Sequence, residues 1–293
     1  MSEPPSTVVE ILDAATRWLT TRKVDSPRRS VELLMGRVLG LDRLRLYLAH
    51  DRPLSTAERD RLRDLVRRRG DHEPLAYLLG DWEFYGHVLE VSPAVLIPRP
   101  ETEGLVDRAV ACVDDGAERI VDLGTGSGAI AIAIALARPK VRVVAVDVSA
   151  DALAVASRNV DRHRLTDRIE LRRGSWWEPF AVGETFDLVV SNPPYCDPGR
   201  DEDVAADVQR FEPALALWSP KGCPQAHYQT IAAGAREHLR PGGWLWFETG
   251  LWAAEPSCEA LRELDGFEGV ELESDLEGRP RYLKARRSAP VAR

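Results

Sequence analysis

The sequence predicts an α/β protein, a doubly wound and largely parallel sheet preceded by a small all-helical domain. Three observations carry that prediction. Short apolar, β-branched runs at Ile120-Val121, Val141 to Val146 and Phe186 to Val190 read as strands covered on both faces. Between the first two, Asp122-Leu123-Gly124-Thr125-Gly126-Ser127-Gly128 is a glycine-rich turn that opens a helix of small and apolar residues, Ala129 to Ala137; strand, glycine turn and helix in that order make a βα unit. Ahead of them, residues 6 to 80 carry apolar positions at helical spacing, punctuated by capping residues.

A length of 293 residues suits two domains. The net charge of -8 and a pI near 5.4 exclude a surface that holds nucleic acid by bulk electrostatics, though not a local basic groove. Cys112, Cys196, Cys223 and Cys258 lack CxxC or Cys/His spacing, so neither a disulfide framework nor a metal site is expected. Met1 to Pro5 shows no basic region leading into an apolar run, and no stretch approaches a membrane span. A soluble, cytoplasmic protein is expected.

In the front domain, residues 1 to 80, Ser6 is expected to cap a helix bearing Val9, Leu12, Ala15 and Leu19. Ser26-Pro27 opens a second, with Val31, Leu34, Met35, Val38 and Leu39 inward and Gly40 as its stop. Ser55 and Glu58 form a capping box for a third, whose far end is basic through Arg61, Arg63, Arg67, Arg68 and Arg69. That end either complements the helix dipole in solvent or meets an acidic partner. Residues 81 to 95, with Tyr85-Gly86 between apolar flanks, read as a hairpin linker, and 96 to 293 as the sheet domain. Ile97-Pro98-Arg99-Pro100-Glu101-Thr102-Glu103 is stiff and extended before its helix begins. Arg99, between two prolines, either pairs with an acid or faces a ligand.

Asp147 ends the second strand about twenty residues after Gly126, the spacing at which an acidic side chain reaches a ribose hydroxyl. A helix over Ala152 to Asn159 and a strand over Ile169 to Leu171 lead to the loop Gly174-Ser175-Trp176-Trp177, where Ser175 or an indole can lie against a base. The stretch from Cys196 to Pro224, with Asp197, Asp201, Glu202, Asp203 and Arg210-Phe211-Glu212-Pro213, reads as a long irregular loop covering a site. A helix from Tyr228 to Leu239, a turn at Pro241-Gly242-Gly243 and a strand from Trp244 to Phe247 follow, placing Glu248, Gly250 and Trp252 on the ligand face. Gly269 to Ser274 and Arg281 to Arg286 form a closing hairpin. The six histidines show no ligand spacing, and structural roles are expected for them.

Gly124, Gly126 and Gly128 are spaced GxGxG, not the GxGxxG of a dinucleotide site, and Asp122 stands two residues ahead. The pattern fits a nucleoside carrying an amino-acid tail, whose ammonium Asp122 can answer; S-adenosylmethionine is such a molecule. Alone, the motif leaves a nucleotide site or a structural turn open. Asp147, and Ser191-Asn192-Pro193-Pro194-Tyr195 at the end of a later strand, strengthen the methyl-donor reading. The Asn192 side-chain carbonyl and the Pro193 backbone carbonyl are fixed acceptors for the N–H groups of a planar, conjugated nitrogen, and Tyr195 offers it a flat surface. An adenine amine and a glutamine amide satisfy that logic equally.

Over nearly its whole length the chain resembles the N5-glutamine methyltransferases of peptide chain release factors, the PrmC or HemK family. Glu73 to Gly80 with Trp82 to Gly86, Leu96 to Glu103, Asp122 to Gly128, Asn192 to Tyr195, and Phe211-Glu212-Pro213 with Ala216-Leu217 carry the resemblance. It implies a Rossmann-like class I methyltransferase sheet of seven strands whose last hairpin is antiparallel, S-adenosylmethionine as donor with S-adenosylhomocysteine as product, and a helical domain that receives a release factor. By similarity, Asn192, Pro193 and Tyr195 are catalytic, and with Pro194, Arg99 and Glu101 they face the substrate. Asp147 and Val148 border the ribose, Gly124 to Gly128 with Thr125 border the methionine part, and Ser175 and Trp176 lie near the adenine. A ribosomal-protein glutamine and an adenine in nucleic acid are the alternative substrates, and a binding module that keeps the cofactor fold is the non-enzymatic one. No direct nucleic-acid or membrane partner is expected, and the protein is expected to be monomeric. The chain departs from the family pattern at Ser175, where an acidic residue is common, and at Cys223, where a leucine is.

Overall fold

A computed structural model describes residues 6–289. The chain divides into two compact units, Met1–Asp81 and Trp82–Arg293. The first contains α1 (Val8–Thr21), α2 (Pro27–Leu39), α3 (Arg43–Leu48), α4 (Thr56–Gly70) and α5 (Leu75–Leu79), packed around Leu19, Val31, Leu34, Met35 and Leu62. The cap of α1 is Thr7 and not Ser6. Its hydroxyl accepts from the Glu10 N–H while the Glu10 carboxylate accepts from the Thr7 N–H, a reciprocal pair that only the residue three before Glu10 can form. Ser26 is left-handed and makes no side-chain cap, so Pro27 alone sets the start of α2. Ser55 and Glu58 form the expected box. The basic end of α4 is largely paired within the unit: Arg63 meets Asp60 at 2.6 Å, Arg67 meets Asp64 at 2.8 Å, and Arg68 grips Glu73.

The second unit opens on a hairpin of β1 (Asp81–Phe84) and β2 (His87–Glu90), joined by Tyr85 and Gly86, both at positive φ, as a two-residue turn of primed type requires. There follow α6 (Pro100–Asp114), β3 (Arg119–Leu123), α7 (Ala129–Ala137), β4 (Arg142–Asp147), α8 (Ala150–Arg162), β5 (Ile169–Arg173) and β6 (Phe186–Ser191). The chain ends with α9 (Ala206–Phe211), α10 (Ala214–Leu217), α11 (Ala226–His238), β7 (Leu239–Glu248), α12 (Leu251–Arg262), β8 (Phe267–Ser274) and β9 (Pro280–Arg287). The seven-stranded sheet has the order β5-β4-β3-β6-β7-β9-β8. β9 alone among β7's neighbours runs antiparallel, and the β8–β9 hairpin closes the edge.

Alternate residues of β3 and β4 serve two cores. Ile120 and Val143 pack with α6 and α7 on one face, and Val121 and Val144 with α11 and α12 on the other. From β3 the chain winds outward through β4 and β5, then returns to β6 on the other side. The order therefore reverses between β3 and β6, and crevices for ligands open at such a switch point. Leu123 lies opposite Ser191 there, and the Ser191 hydroxyl donates to the Leu123 carbonyl at 2.6 Å, tying the two turns together. Two expectations change. The stretch from Cys196 to Pro224 contains α9, α10 and a kinked helical segment at Pro198–Asp203. β7 begins at Leu239 and runs through the expected turn, because its pairing with β6 shifts register between Phe186 and Leu188 and Gly243 lets the Asp187 carbonyl approach where a Cβ would sit 2.8 Å away.

Candidate active site

A cavity of about 630 Å³ lies at the carboxyl ends of β3, β4 and β6, lined among others by Gly124, Gly126, Asp147, Trp176, Asn192 and Pro194. Asp122, near the end of β3, is completely buried and, like Gly128, is not part of the cavity wall. Its Oδ2 accepts from the Thr125 hydroxyl at 2.7 Å, while Oδ1 has no partner. Burial pushes its carboxyl up to about 7, with the neighbouring Asp147 adding to the rise and Thr125 and the Ala131 N–H opposing it. Asp147, at the tip of β4, accepts from the Gly126 and Ser149 N–H groups, both at 2.9 Å; burial raises its pKa and these donors pull it back. Gly126 adopts φ +56° with nothing within 4 Å of where a Cβ would stand, so the floor there is open backbone.

Val148 and Ser175 also line the cavity. The Ser175 N–H is already donated to Glu178 at 2.8 Å. Trp176 is left-handed at φ +48°; its ring packs toward Gly124 and lies 5.4 Å from that of His227. The adjacent Trp177 goes elsewhere, stacking on His238 at 4.8 Å and donating to the Ile231 carbonyl at 2.9 Å. His227 belongs to the cavity wall, with its pKa lowered by burial. A single histidine without ligand spacing to any other gave no signal by which to find it.

At the other end, Asn192 and Pro194 face the cavity, whereas Pro193 and Tyr195 sit behind its wall. The Tyr195 ring lies over Gly250, where a Cβ would come within 2.6 Å of it. Burial, with the charge of Glu248, raises the Tyr195 pKa, so the ring stays neutral. Arg99 lines the cavity and also forms an ion pair with Glu212, whose other oxygen accepts from the Ile97 N–H at 3.1 Å. The Glu212 side chain is 1% exposed, so this contact locks the Ile-Pro-Arg-Pro segment to the loop after β6. Glu101 is not part of the wall; its carbonyl accepts from the Tyr282 hydroxyl at 2.7 Å. Glu248 does not reach the cavity either. It is buried behind Asn192 and Thr102, and burial lifts its carboxyl to about 7. Thr102, Leu215 and Trp218 join the wall without having been singled out in the sequence.

Residues 10–80 match the model of the PrmC N-terminal domain, and residues 109–223 that of the methyltransferase small domain. A release factor glutamine methyltransferase from Chlorobaculum tepidum is 45% identical over 82% of this chain and 84% of its own length. One from Nitratidesulfovibrio vulgaris is 37% identical over 97% and 96%. The chain belongs to the release factor glutamine methyltransferase family. Among solved structures, the catalytic domain of hMettl16 in complex with MAT2A 3'UTR hairpin 6 aligns with a TM-score of 0.56 at 17% identity, over 78% of this chain and 84% of that one, a likeness of fold. As a methyltransferase of this family the protein uses S-adenosylmethionine, and the site fits that group. Asp147 and the open glycine backbone line the cavity and admit close approach, and just behind Thr125 the buried Asp122 keeps an unpartnered Oδ1, an acceptor suited to an ammonium.

Proposed function

We propose that the protein transfers the methyl group of S-adenosylmethionine to the side-chain amide nitrogen of the glutamine in the Gly-Gly-Gln motif of peptide chain release factors. One observation carries the reading: a single cavity joins an acid-and-glycine end suited to a sulfonium nucleoside to an end where Asn192 projects from a proline-stiffened turn. Bound there, the cofactor supplies an activated methyl group. Asp122 and Asp147 hold its ammonium and ribose, with Gly124, Thr125, Gly126, Gly128 and Val148 bordering them and Ser175 and Trp176 beside the base. The Asn192 Oδ1 accepts an N–H group of the glutamine amide and aims its nitrogen along the line of transfer, and the Pro193 carbonyl, on a residue behind the wall, takes the second N–H only where the amide reaches past Asn192. Pro194 confines the amide. Tyr195, held over Gly250, backs the turn, and Arg99 acts through its pairing with Glu212 to hold the cavity's mouth. The nitrogen gains positive charge as it is methylated and sheds its proton afterwards, so no strong base is required first.

The same reading assigns residues 1–80 to reception of the release factor, 81–95 to a linker and 96–293 to catalysis, by a monomer in the cytoplasm. No helix among the described residues is long and apolar enough to cross a membrane. Purified protein, a release factor and methyl-labelled cofactor should place label on that glutamine, read by mass spectrometry. Label on a ribosomal protein or an oligonucleotide instead would overturn the substrate assignment, and light scattering at dimer mass would overturn the monomer.

A further inference from the structure

We propose that Thr102 and Glu248 are positioning residues that set the orientation of the Asn192 amide, turning its oxygen toward the substrate nitrogen. The inference rests on the reading that Asn192 holds the accepting amide. Asn192 Nδ2 donates to Thr102 Oγ1 at 3.4 Å, reaching across from the end of β6 to the first turn of α6. Behind them lies Glu248, 1% exposed at the end of β7; the Thr102 hydroxyl, the charge of Arg281 and the Asn192 amide favour its ionised form, while its Oε2 is buried without a hydrogen-bond partner among the described residues. An ionised carboxylate accepts and never donates. The amide's NH2 arm therefore belongs on the Thr102 and Glu248 side, and its oxygen on the other arm is left to the cavity. Among the described residues, no protein donor meets that oxygen. A flipped amide would set oxygen against carboxylate and turn its own NH2 toward an incoming NH2, which it could not accept. The buried acid thereby makes the turn selective for a nucleophile that carries N–H.

The arrangement also carries a pH dependence. Glu248 titrates near 7 because of its burial. Glu101 on α6 pushes its pKa further up, and Arg281 on β9 pulls it down. Tyr195 on the turn, Tyr228 on α11 and Tyr282 on β9 complete the titratable groups around it, with pKa values raised by burial in each case. Above the midpoint the negative carboxylate favours the NH2 arm on its side, next to Thr102. Below it the acid carries a proton, competes as a donor, and releases the amide.

The chain has two asparagines, Asn159 and Asn192, so protein labelled with nitrogen-15 in its asparagine side chains gives two NH2 groups by NMR. Asn159 is internally committed, its Nδ2 bonding the Glu90 and Ser127 carbonyls, each at 2.9 Å. The Asn192 NH2 shifts should titrate with a midpoint near 7 in the wild type and stay flat in Glu248→Gln. With donor and release factor saturating, kcat should fall on the acid side with the same midpoint, and that limb should be missing in Glu248→Gln. Thr102→Val should lower kcat by about tenfold with the cofactor KM unchanged, and Thr102→Ser should restore it. Wild-type Asn192 signals that do not titrate, or full kcat in Thr102→Val, would overturn the proposal, and the valine variant decides it should Glu248→Gln not fold. The NMR measurement needs no substrate: a titrating Asn192 in a protein that leaves release factors unmethylated refutes the substrate assignment and keeps the positioning role.

Discussion

The two ends of the cavity are built by different means. At the donor end, Asp122, the glycine turn and Asp147 come from two adjacent parallel strands and the turns that follow them, and backbone N–H groups do much of the holding, as at Gly126 and Ser149. At the acceptor end, Asn192 depends on side chains drawn from distant segments: Thr102 from α6, Glu248 from β7, and the pairing of Arg99 with Glu212 across the loop after β6. A local βα unit can make a nucleoside site almost alone. A site that must aim one particular nitrogen needs side chains whose partners are fixed by tertiary structure, and it is correspondingly more fragile.

That contrast should separate in measurement. Asn192→Ala should lower kcat by roughly 100- to 1,000-fold, the usual effect of removing one preorganised polar contact to the reacting group, while calorimetry finds cofactor affinity nearly unchanged; equal loss of both would erase the distinction between the ends. Arg99→Ala leaves the buried Glu212 unpaired and should cost about 3 kcal/mol of stability in denaturant unfolding. Asp147→Ala should weaken cofactor binding by roughly 1.5 to 3 kcal/mol and leave kcat at saturation close to wild type. Smaller still is a pH effect at the donor end. Because Asp122 is raised to about 7 in the folded protein, the free protein holds a proton there that the unfolded chain has lost, so this group's contribution to stability declines as pH climbs from about 4 to 7. A bound ammonium favours the ionised acid, so cofactor affinity should rise several-fold between about pH 6 and 7.5, and Asp122→Asn should flatten that slope. Thr7→Ala serves as the reference, costing about 1 kcal/mol through the lost cap with both ends of the cavity unaffected.

The same contrast explains what could be read in advance. The sheet, the glycine turn, Asp147 and the Asn-Pro-Pro-Tyr turn were legible because each is a contiguous pattern with a local physical meaning. Arg99 was legible only as a question, since its partner Glu212 lies in a segment whose position no local rule fixes. Glu248 was expected on the ligand face because it ends a strand; it is instead turned into the protein, where α6 and the turn after β6 supply its polar neighbours. His227 and Thr102 reached the wall through packing alone. The helical content of the stretch from Cys196 to Pro224 was hidden by its short elements, four to six residues each, too brief for a periodic signal.

Gly250 gives one of these observations a wider reach. Tyr195 lies where a side chain at this position would have to be, so the flat backing of the reactive turn is secured by an atom that is missing. Alanine scanning, which measures what a site loses when groups are trimmed, would pass over the position as already minimal. Only adding mass there reveals it: a single methyl group would act as a wedge, and the turn would be disturbed with every polar contact of its residues chemically intact.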